Sequence, residues 1–346
     1  MNSHHKDRKP NTTILFAELA DWEQTQIQKE CCGNCNLIYS HKKFEDIDQS
    51  EIPQDAEILS VFVHSNLSAE YLKRMPKLKL IAIRATGFDK IDLDYCKAND
   101  IYVANVPRYG DDTVAEHAFA MLLALTRKIH RCYERTTRGD FSLEGLRGMD
   151  LAGKVFGCLG VGKIGTKAIR IAGGFGMNRI AHQIHEHPLL SGNYGFHYVD
   201  FDTLLRESDI LSIHVPYNKQ THHMIDRAAL QKMKVGAIII NTARGGIIDS
   251  TALLEALKSG HLGGACLDVL EAEELIAEEA EILSSDYDVE TLQKIVQSHK
   301  LLKMPNVIIT PHNAFNSFEA CRRIVTTTVD NIHAWMKGDP INIVNK

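Results

Sequence analysis

No apolar stretch in this sequence is long enough to cross a bilayer. The longest, 118–125, stops well short of the roughly 20 residues a spanning helix needs. Positive charge is not in excess either: Lys plus Arg is 39 against 44 Asp plus Glu, a net charge of -5. Without a basic surplus there is nothing to displace counterions from a phosphate backbone, so nucleic acid is not an expected partner, and neither is a membrane. Cysteine is sparse, eight in 346 residues, which rules out a disulfide scaffold. Residues 1–13 are polar and lack the apolar core of a signal peptide, so a cytoplasmic location is the expectation.

What remains is an ordinary globular composition. Hydrophobic residues make up 44% and charged residues 24%, against disorder, collagen-like repeats or a coiled coil. At roughly 150 residues per domain the length suggests about two domains. Cys31, Cys32 and Cys35 cluster, with Cys32 and Cys35 spaced as CxxC. No second pair follows at zinc-site spacing, and the motif precedes the strand-like segment 37–40 instead of opening a helix after a strand. These cysteines read as turn or surface residues, and no metal site is expected. The other five are scattered, as buried thiols in a reducing cytosol would be.

Apolar, β-rich runs at 13–16, 58–63, 80–83 and 101–103 alternate with helical stretches such as 22–29 and 69–74. That alternation predicts parallel β-α-β units. Residues 113–130 follow as a long helical pattern, with Thr113 placed to cap it and Glu116 to complete a capping box. Its apolar residues wrap most of the circumference, which predicts a buried helix. A second series of strand candidates lies at 155–159, 179–184, 210–214, 237–241, 263–267 and 307–310. Residues 271–281 are strongly acidic, and most of those charges read as a solvated face.

The most informative local motif is Gly160-Val161-Gly162-Lys163-Ile164-Gly165. A GxGxxG is weak evidence alone, but this one follows the strand 155–159 and opens the helical run 166–175, the context the motif requires. Gly160 permits the tight turn, Gly162 lets the backbone approach a pyrophosphate, and Gly165 lets helix pack on strand. The helix start offers N–H groups and partial positive charge to the phosphates. An acidic residue should end the second strand, roughly 20 residues on, to bind the ribose hydroxyls. Gln183 occupies that place, between His182 and His185. A glutamine can bond a ribose without repelling a 2′-phosphate, so a dinucleotide is expected with NAD or NADP left open.

Three later segments each follow a strand: Asn241-Thr242-Ala243-Arg244-Gly245-Gly246, Cys266 to Glu273, and Thr310-Pro311-His312-Asn313-Ala314. In an open parallel sheet such segments converge outside the carboxyl ends of the strands. Together with the glycine loop, Ala85-Thr86-Gly87-Phe88-Asp89-Lys90-Ile91-Asp92, Asn105-Val106-Pro107, Ala115-Glu116-His117 and His214-Val215-Pro216, their order and spacing resemble the D-isomer-specific 2-hydroxyacid dehydrogenases. The resemblance runs from about Ile14 to the C-terminus, and the acidic segment between Glu273 and Pro305 looks most like the D-lactate dehydrogenase branch.

That resemblance implies an α/β protein of two doubly wound parallel-sheet domains. A Rossmann-type dinucleotide-binding domain, 112–312, would be inserted in a flavodoxin-like substrate domain, 1–111 and 313–346. It implies NAD(P)-dependent reduction of a small 2-oxo acid to its D-2-hydroxy acid, and a homodimer built on the helix 113–130. Arg244 matches the family arginine that binds the substrate carboxylate and polarises the keto oxygen, a task suited to a planar fork of donors. His312 matches the general acid and base, and Glu273 the carboxylate that pairs with it; Glu271 is a rival two residues away, but Glu273 has the family's spacing from Asp268. The implied cofactor set is Gly160, Gly162, Lys163, Ile164, Gly165, Gln183, Val215, Pro216, Thr221, Thr242, Ala243 and Asp268, the last near the nicotinamide end. Substrate contacts would come from Thr86, Gly87, Tyr109, Arg244 and Phe315. Where many relatives carry arginine, this chain has His64 before Ser65. Two other readings resemble members of the same family: an NAD(H)-sensing corepressor, and a dehydrogenase of another acid. A formate type would want an Asn- and Gln-rich pocket that is not evident here.

Overall fold

Strands that are apolar at every position, without polar alternation, are covered on both faces. The computed structural model, which describes residues 12–31, 35–271 and 289–346, builds two parallel sheets whose inner strands, such as Leu80–Ile83 and Val155–Leu159, are of this kind. The chain divides into two compact units. The first takes the described residues up to Tyr109 together with Ser317–Lys346, and the second is Gly110–Asn316.

In the first unit the strands are β1 Thr12–Phe16, β2 Cys35–Tyr39, β3 Ile58–Val61, β4 Leu80–Ile83 and β5 Tyr102–Ala104, in the order β2-β1-β3-β4-β5. Alternate side chains feed two separate cores. Ile14, Phe16, Leu80 and Ala82 join Val325, Val329 and Ile332 of the C-terminal helix Phe318–Met336 on one face. Leu15, Leu59, Ile81 and Ile83 pack with Phe44, Leu72 and Val103 on the other. The C-terminal helix therefore belongs to the sheet that the N-terminal residues began, because its apolar stripe completes that core. Of the cysteine cluster, Cys31 is buried, Cys35 opens β2, and Cys32 lies outside the described residues.

In the second unit β6 Val155–Leu159, β7 Asn178–His182, β8 His197–Tyr198, β9 Ile210–Ile213, β10 Ala237–Asn241, β11 Leu262–Leu267 and β12 Val307–Ile309 form a sheet ordered β12-β11-β10-β9-β6-β7-β8. All its pairs are parallel. Ile239 and Leu211 face one core, while Ile238, Ile240 and Phe156 face the other. Each buried Ile or Leu contributes about 1.5–3 kcal/mol relative to exposure. The first strand, β6, lies inside the sheet between β7 and β9, so the winding reverses there.

The helix expected at 113–130 differs from expectation at both ends. It begins at Asp111 with Gly110 as N-cap, so Thr113 and Glu116 lie within it and form no capping box. Asp111 and Asp112 supply the negative charge that a helix start favours. It stops at Thr126, and Lys128, at φ +56°, turns the chain into a separate helix, Ile129–Thr137. The glycine-loop helix starts at Lys163, earlier than expected, with Gly162 as its N-cap. Among the described residues no helix is long and apolar enough to cross a membrane.

Candidate active site

The glycine loop leaves β6 at the point where the sheet reverses, the place where parallel sheets bind ligands. Its glycines do different work. Gly160 has φ +97°, and a Cβ there would stand 2.8 Å from the carbonyl of His214 at the end of β9. At Gly165 a Cβ would meet the Gly160 oxygen at 2.1 Å, so helix and strand touch only because it is glycine. Gly162 faces open space: among the described residues no heavy atom lies within 4 Å of where its Cβ would be.

Five helices, starting after Asp92, Asp200, Asp226, Asp249 and Ser317, are capped by those side chains. The helix Lys163–Gly174 has no side-chain cap and no acidic residue in its first turn, which spans Lys163, Ile164 and Gly165. Its start is left for an anion. At the same edge of the sheet the Thr242 hydroxyl is buried without a hydrogen-bond partner. A bare loop, an uncapped helix and an orphaned hydroxyl fit a dinucleotide.

Gln183 follows β7 as the sequence indicates, but its Oε1 accepts the backbone N–H of Val161 inside the glycine loop. The amide nitrogen, a donor only, is the end left for a ribose. Val215 packs a methyl against Gly160, and Thr221 closes its own loop, donating to the Pro216 carbonyl at 2.7 Å and accepting from Asn218 N–H at 2.8 Å. His214 shares a 2.9 Å hydrogen bond with Ser212, and burial pushes its imidazole down to about 4.

Arg244, Asp268 and His312 come from three adjacent strand ends. Asn241 pairs with Leu267 and Leu267 with Ile309, so the segments that follow leave the sheet in register. Asn241, fully buried, holds the arginine segment. Its Oδ1 accepts from Ala243 N–H at 3.0 Å and its Nδ2 donates to the Arg244 carbonyl at 2.9 Å. Next comes a close approach: a Cβ on Gly245 would lie 2.1 Å from the Leu270 carbonyl carbon, and one on Gly246 would lie 2.9 Å from the Tyr217 ring.

Asp268 is 1% exposed, and its carboxylate is committed to the protein itself. It accepts the N–H of Asn313 at 2.7 Å, the N–H of Ala314 at 2.9 Å and the hydroxyl of Thr310. His117 Nε2 lies 3.5 Å away, and the Asp268 carbonyl accepts His312 N–H at 2.9 Å. Burial alone would raise the Asp268 pKa. The bonds from His117, Thr310, Ala314 and Asn313 outweigh it and hold the carboxyl below its ordinary value. These bonds have something to hold, because His312 sits at φ +49°, a left-handed conformation that costs a non-glycine residue about 1–2 kcal/mol.

Glu271 departs from the expectation of a solvated acidic face. It is buried, pairs with His223 at 2.7 Å and accepts Ser250 N–H at 3.1 Å, because a histidine 48 residues away folds over it. Glu273 lies outside the described residues.

In the first unit Thr86 donates its hydroxyl to the Val106 carbonyl at 2.7 Å, with Gly87 beside it. The Tyr109 carbonyl accepts from Arg323 Nε at 2.7 Å. His64 and Ser65 donate their backbone N–H groups to the Glu18 carboxylate at 2.9 and 3.0 Å, which fixes that loop. Phe315, in the second unit, is half-buried three residues after His312. Asn241, His117 and Thr310 were not singled out by sequence reasoning. All three sit within the motifs that carry the site, so position relative to those motifs was the available signal.

Comparison with known proteins places this geometry. The family model described as "D-isomer specific 2-hydroxyacid dehydrogenase, NAD binding domain" matches residues 119–314, all within the second unit. D-lactate dehydrogenase of Escherichia coli K12 is 39% identical over 82% of this chain and 84% of its own length. A 2-hydroxyacid dehydrogenase homolog of Schizosaccharomyces pombe is 37% identical over 96% of this chain and 99% of its own. The crystal structure of D-lactate dehydrogenase from Aquifex aeolicus, complexed with NAD and lactic acid, superposes with a TM-score of 0.84 at 36% identity, covering 94% of this chain and 96% of that one.

Proposed function

The chain belongs to the D-isomer specific 2-hydroxyacid dehydrogenase family, and from that premise we propose that it reduces a small 2-oxo acid of the pyruvate type to the D-2-hydroxy acid. One observation carries the reading: the bare, uncapped glycine loop shares a sheet edge with Arg244, Asp268 and His312. The E. coli and A. aeolicus relatives, both D-lactate dehydrogenases, support the choice of substrate class.

Gly160, Gly162, Lys163, Ile164 and Gly165 would hold the pyrophosphate. Val215, Pro216, Thr221, Thr242 and Ala243 would line the rest of the cofactor site, and Gln183 would meet the ribose. When bound, the nicotinamide supplies the hydride. Arg244 binds the substrate carboxylate in a forked pair of hydrogen bonds and polarises the keto oxygen. His312 delivers the proton to that oxygen, a transfer worth about 10²–10⁴ in rate. Glu273 would pair with His312, holding the ring's tautomer and orientation. Thr86, Gly87, Tyr109 and Phe315 would complete the substrate contacts. Asp268 serves the cofactor end indirectly, through the turn that it fixes.

NAD is the expected cofactor. Because Gln183 offers an N–H donor where a carboxylate would repel phosphate, NADP is expected to be tolerated. A homodimer is the expected assembly. Large apolar side chains at Ile129, Tyr133, Phe141 and Leu143 are 56 to 84% exposed around the helix Ile129–Thr137, more apolar surface than a lone subunit usually leaves in one stretch. A reducing, cytoplasmic setting suits the free thiols, of which Cys158 and Cys266 are raised well above the ordinary range by burial.

The test is a panel of 2-oxo acids assayed with NADH and NADPH separately, with chiral analysis of product. D-Lactate from pyruvate with NADH is the expected result. Nucleotide binding without turnover on any acid would favour a sensor instead, and strict NADPH dependence would reverse the cofactor assignment.

A further inference from the structure

We propose that His117 is a positioning residue for His312, acting through Thr310 and Asp268. The inference rests on the reading of His312 as proton donor. His117 comes from the helix Asp111–Thr126, and its Nε2 lies 3.1 Å from Thr310 Oγ1 and 3.5 Å from Asp268 Oδ1. The Thr310 hydroxyl has one hydrogen. The buried carboxylate takes it, being a far better acceptor than the Met121 thioether at 3.4 Å. Thr310 can then only accept from His117, so Nε2 carries a hydrogen. His117 and Met121 are four residues apart and share one helix face, which is why both reach Thr310.

The chain of contacts ends at a strained backbone. Asp268 Oδ1 takes the Thr310 hydroxyl and the Asn313 N–H, Oδ2 takes the Ala314 N–H, and between them stands His312 at φ +49°. A carboxylate free to rotate would release those N–H groups and let the turn relax toward ordinary backbone. His117 is the donor that keeps Thr310 and Oδ1 in one arrangement from outside the turn. A proton donor displaced by a fraction of an ångström loses rate without losing ground-state binding.

The test compares His117→Leu, which keeps the packing, with His117→Gln, which restores an N–H donor at similar reach. In His117→Leu the expected result is a fall of about tenfold or more in kcat. KM for the 2-oxo acid and Kd for NADH should stay within about twofold, since ground-state binding is untouched. Amide hydrogen exchange across 310–314 should speed up by a similar factor, and His117→Gln should recover most of both losses. Thr310→Val cuts the same chain from its other end, and its effect should be non-additive with His117→Leu. Unchanged kcat and exchange in His117→Leu would overturn the proposal. So would a Gln variant no better than Leu, or additive effects with Thr310→Val. If the wild-type protein reduces no 2-oxo acid, the functional reading falls instead, and the exchange comparison alone still decides whether His117 holds the turn.

Discussion

Asn241 fixes Arg244 from behind: Asn241 Nδ2 donates to the Arg244 carbonyl at 2.9 Å while Oδ1 accepts Ala243 N–H at 3.0 Å. One side chain grips the backbone on both sides of the 243–244 link, at the Ala243 N–H before it and the Arg244 carbonyl after it. Asn241→Ala leaves the Ala243 N–H without its acceptor and the Arg244 carbonyl with only the Ile247 N–H at 3.3 Å, a loss of about 1–3 kcal/mol in stability. Steady-state kinetics should show KM for the 2-oxo acid rising about tenfold or more, with Kd for NADH nearly unchanged, because the carboxylate contact depends on Arg244 geometry and the pyrophosphate contact does not. An unchanged KM would mean that Arg244 is held by something else.

Asp268→Asn tests the turn around His312. The amide keeps one acceptor but places an NH2 where an oxygen accepted a backbone N–H, so one of Asn313 and Ala314 loses its partner. Loss of about 2–4 kcal/mol in stability is expected, together with a large fall in kcat. The acid side follows from the depressed Asp268 pKa. A depressed carboxyl contributes stability that is fully present above its unfolded value near 3.9 and is lost as pH falls through the lower folded value. Asp268→Asn should therefore be less stable than wild type at neutral pH, and the gap should narrow below about pH 4 in denaturant titrations. A gap that does not change with pH would show that the carboxylate charge is not what holds the turn.

Most of the fold could be read from local pattern because parallel strands buried on both faces are nearly continuous apolar runs; β4, β6 and β10 fall where those runs lie. The two-residue β8 is too short to leave a pattern. The break at Lys128 was invisible because a lysine carries no local signal for positive φ. In the site, Gly160, Gly162 and Gly165 were readable because a backbone that must approach something closely admits one residue type. Glu271 was not, since its burial depends on His223, distant in sequence. Likewise, nothing near Gln183 announces that its oxygen turns back to Val161. Side-chain partners chosen across the fold are set by tertiary packing, which periodicity does not encode.

The loop glycines should separate folding from cofactor binding. Gly162→Ala meets open space at an ordinary φ of -78°, so its effect on stability should be small, under about 1 kcal/mol. Its methyl group would occupy the surface offered to the pyrophosphate, and Kd for NADH by fluorescence titration should rise at least about tenfold. Gly160→Ala forces an L side chain to φ +97° and into the His214 carbonyl, and should cost at least about 2 kcal/mol of stability. If Gly162→Ala binds NADH as well as wild type, the pyrophosphate does not lie on this loop.

His214 should make the protein acid-sensitive between about pH 6.5 and 4. Its imidazole falls from 6.5 to about 4 because burial disfavours the charged form. The folded protein therefore keeps His214 neutral where the unfolded chain would take up a proton. The stability so gained is fully present above about pH 6.5 and drains away as pH falls toward about 4. The whole shift corresponds to about 3 kcal/mol. Replacing the titrating ring by an amide, His214→Gln, should flatten the stability profile between pH 6.5 and 4, leaving the fall below 4 to carboxylates such as Asp268. Urea unfolding at a series of pH values measures both slopes, and a His214→Gln profile parallel to wild type through that window would assign the acid sensitivity to other histidines.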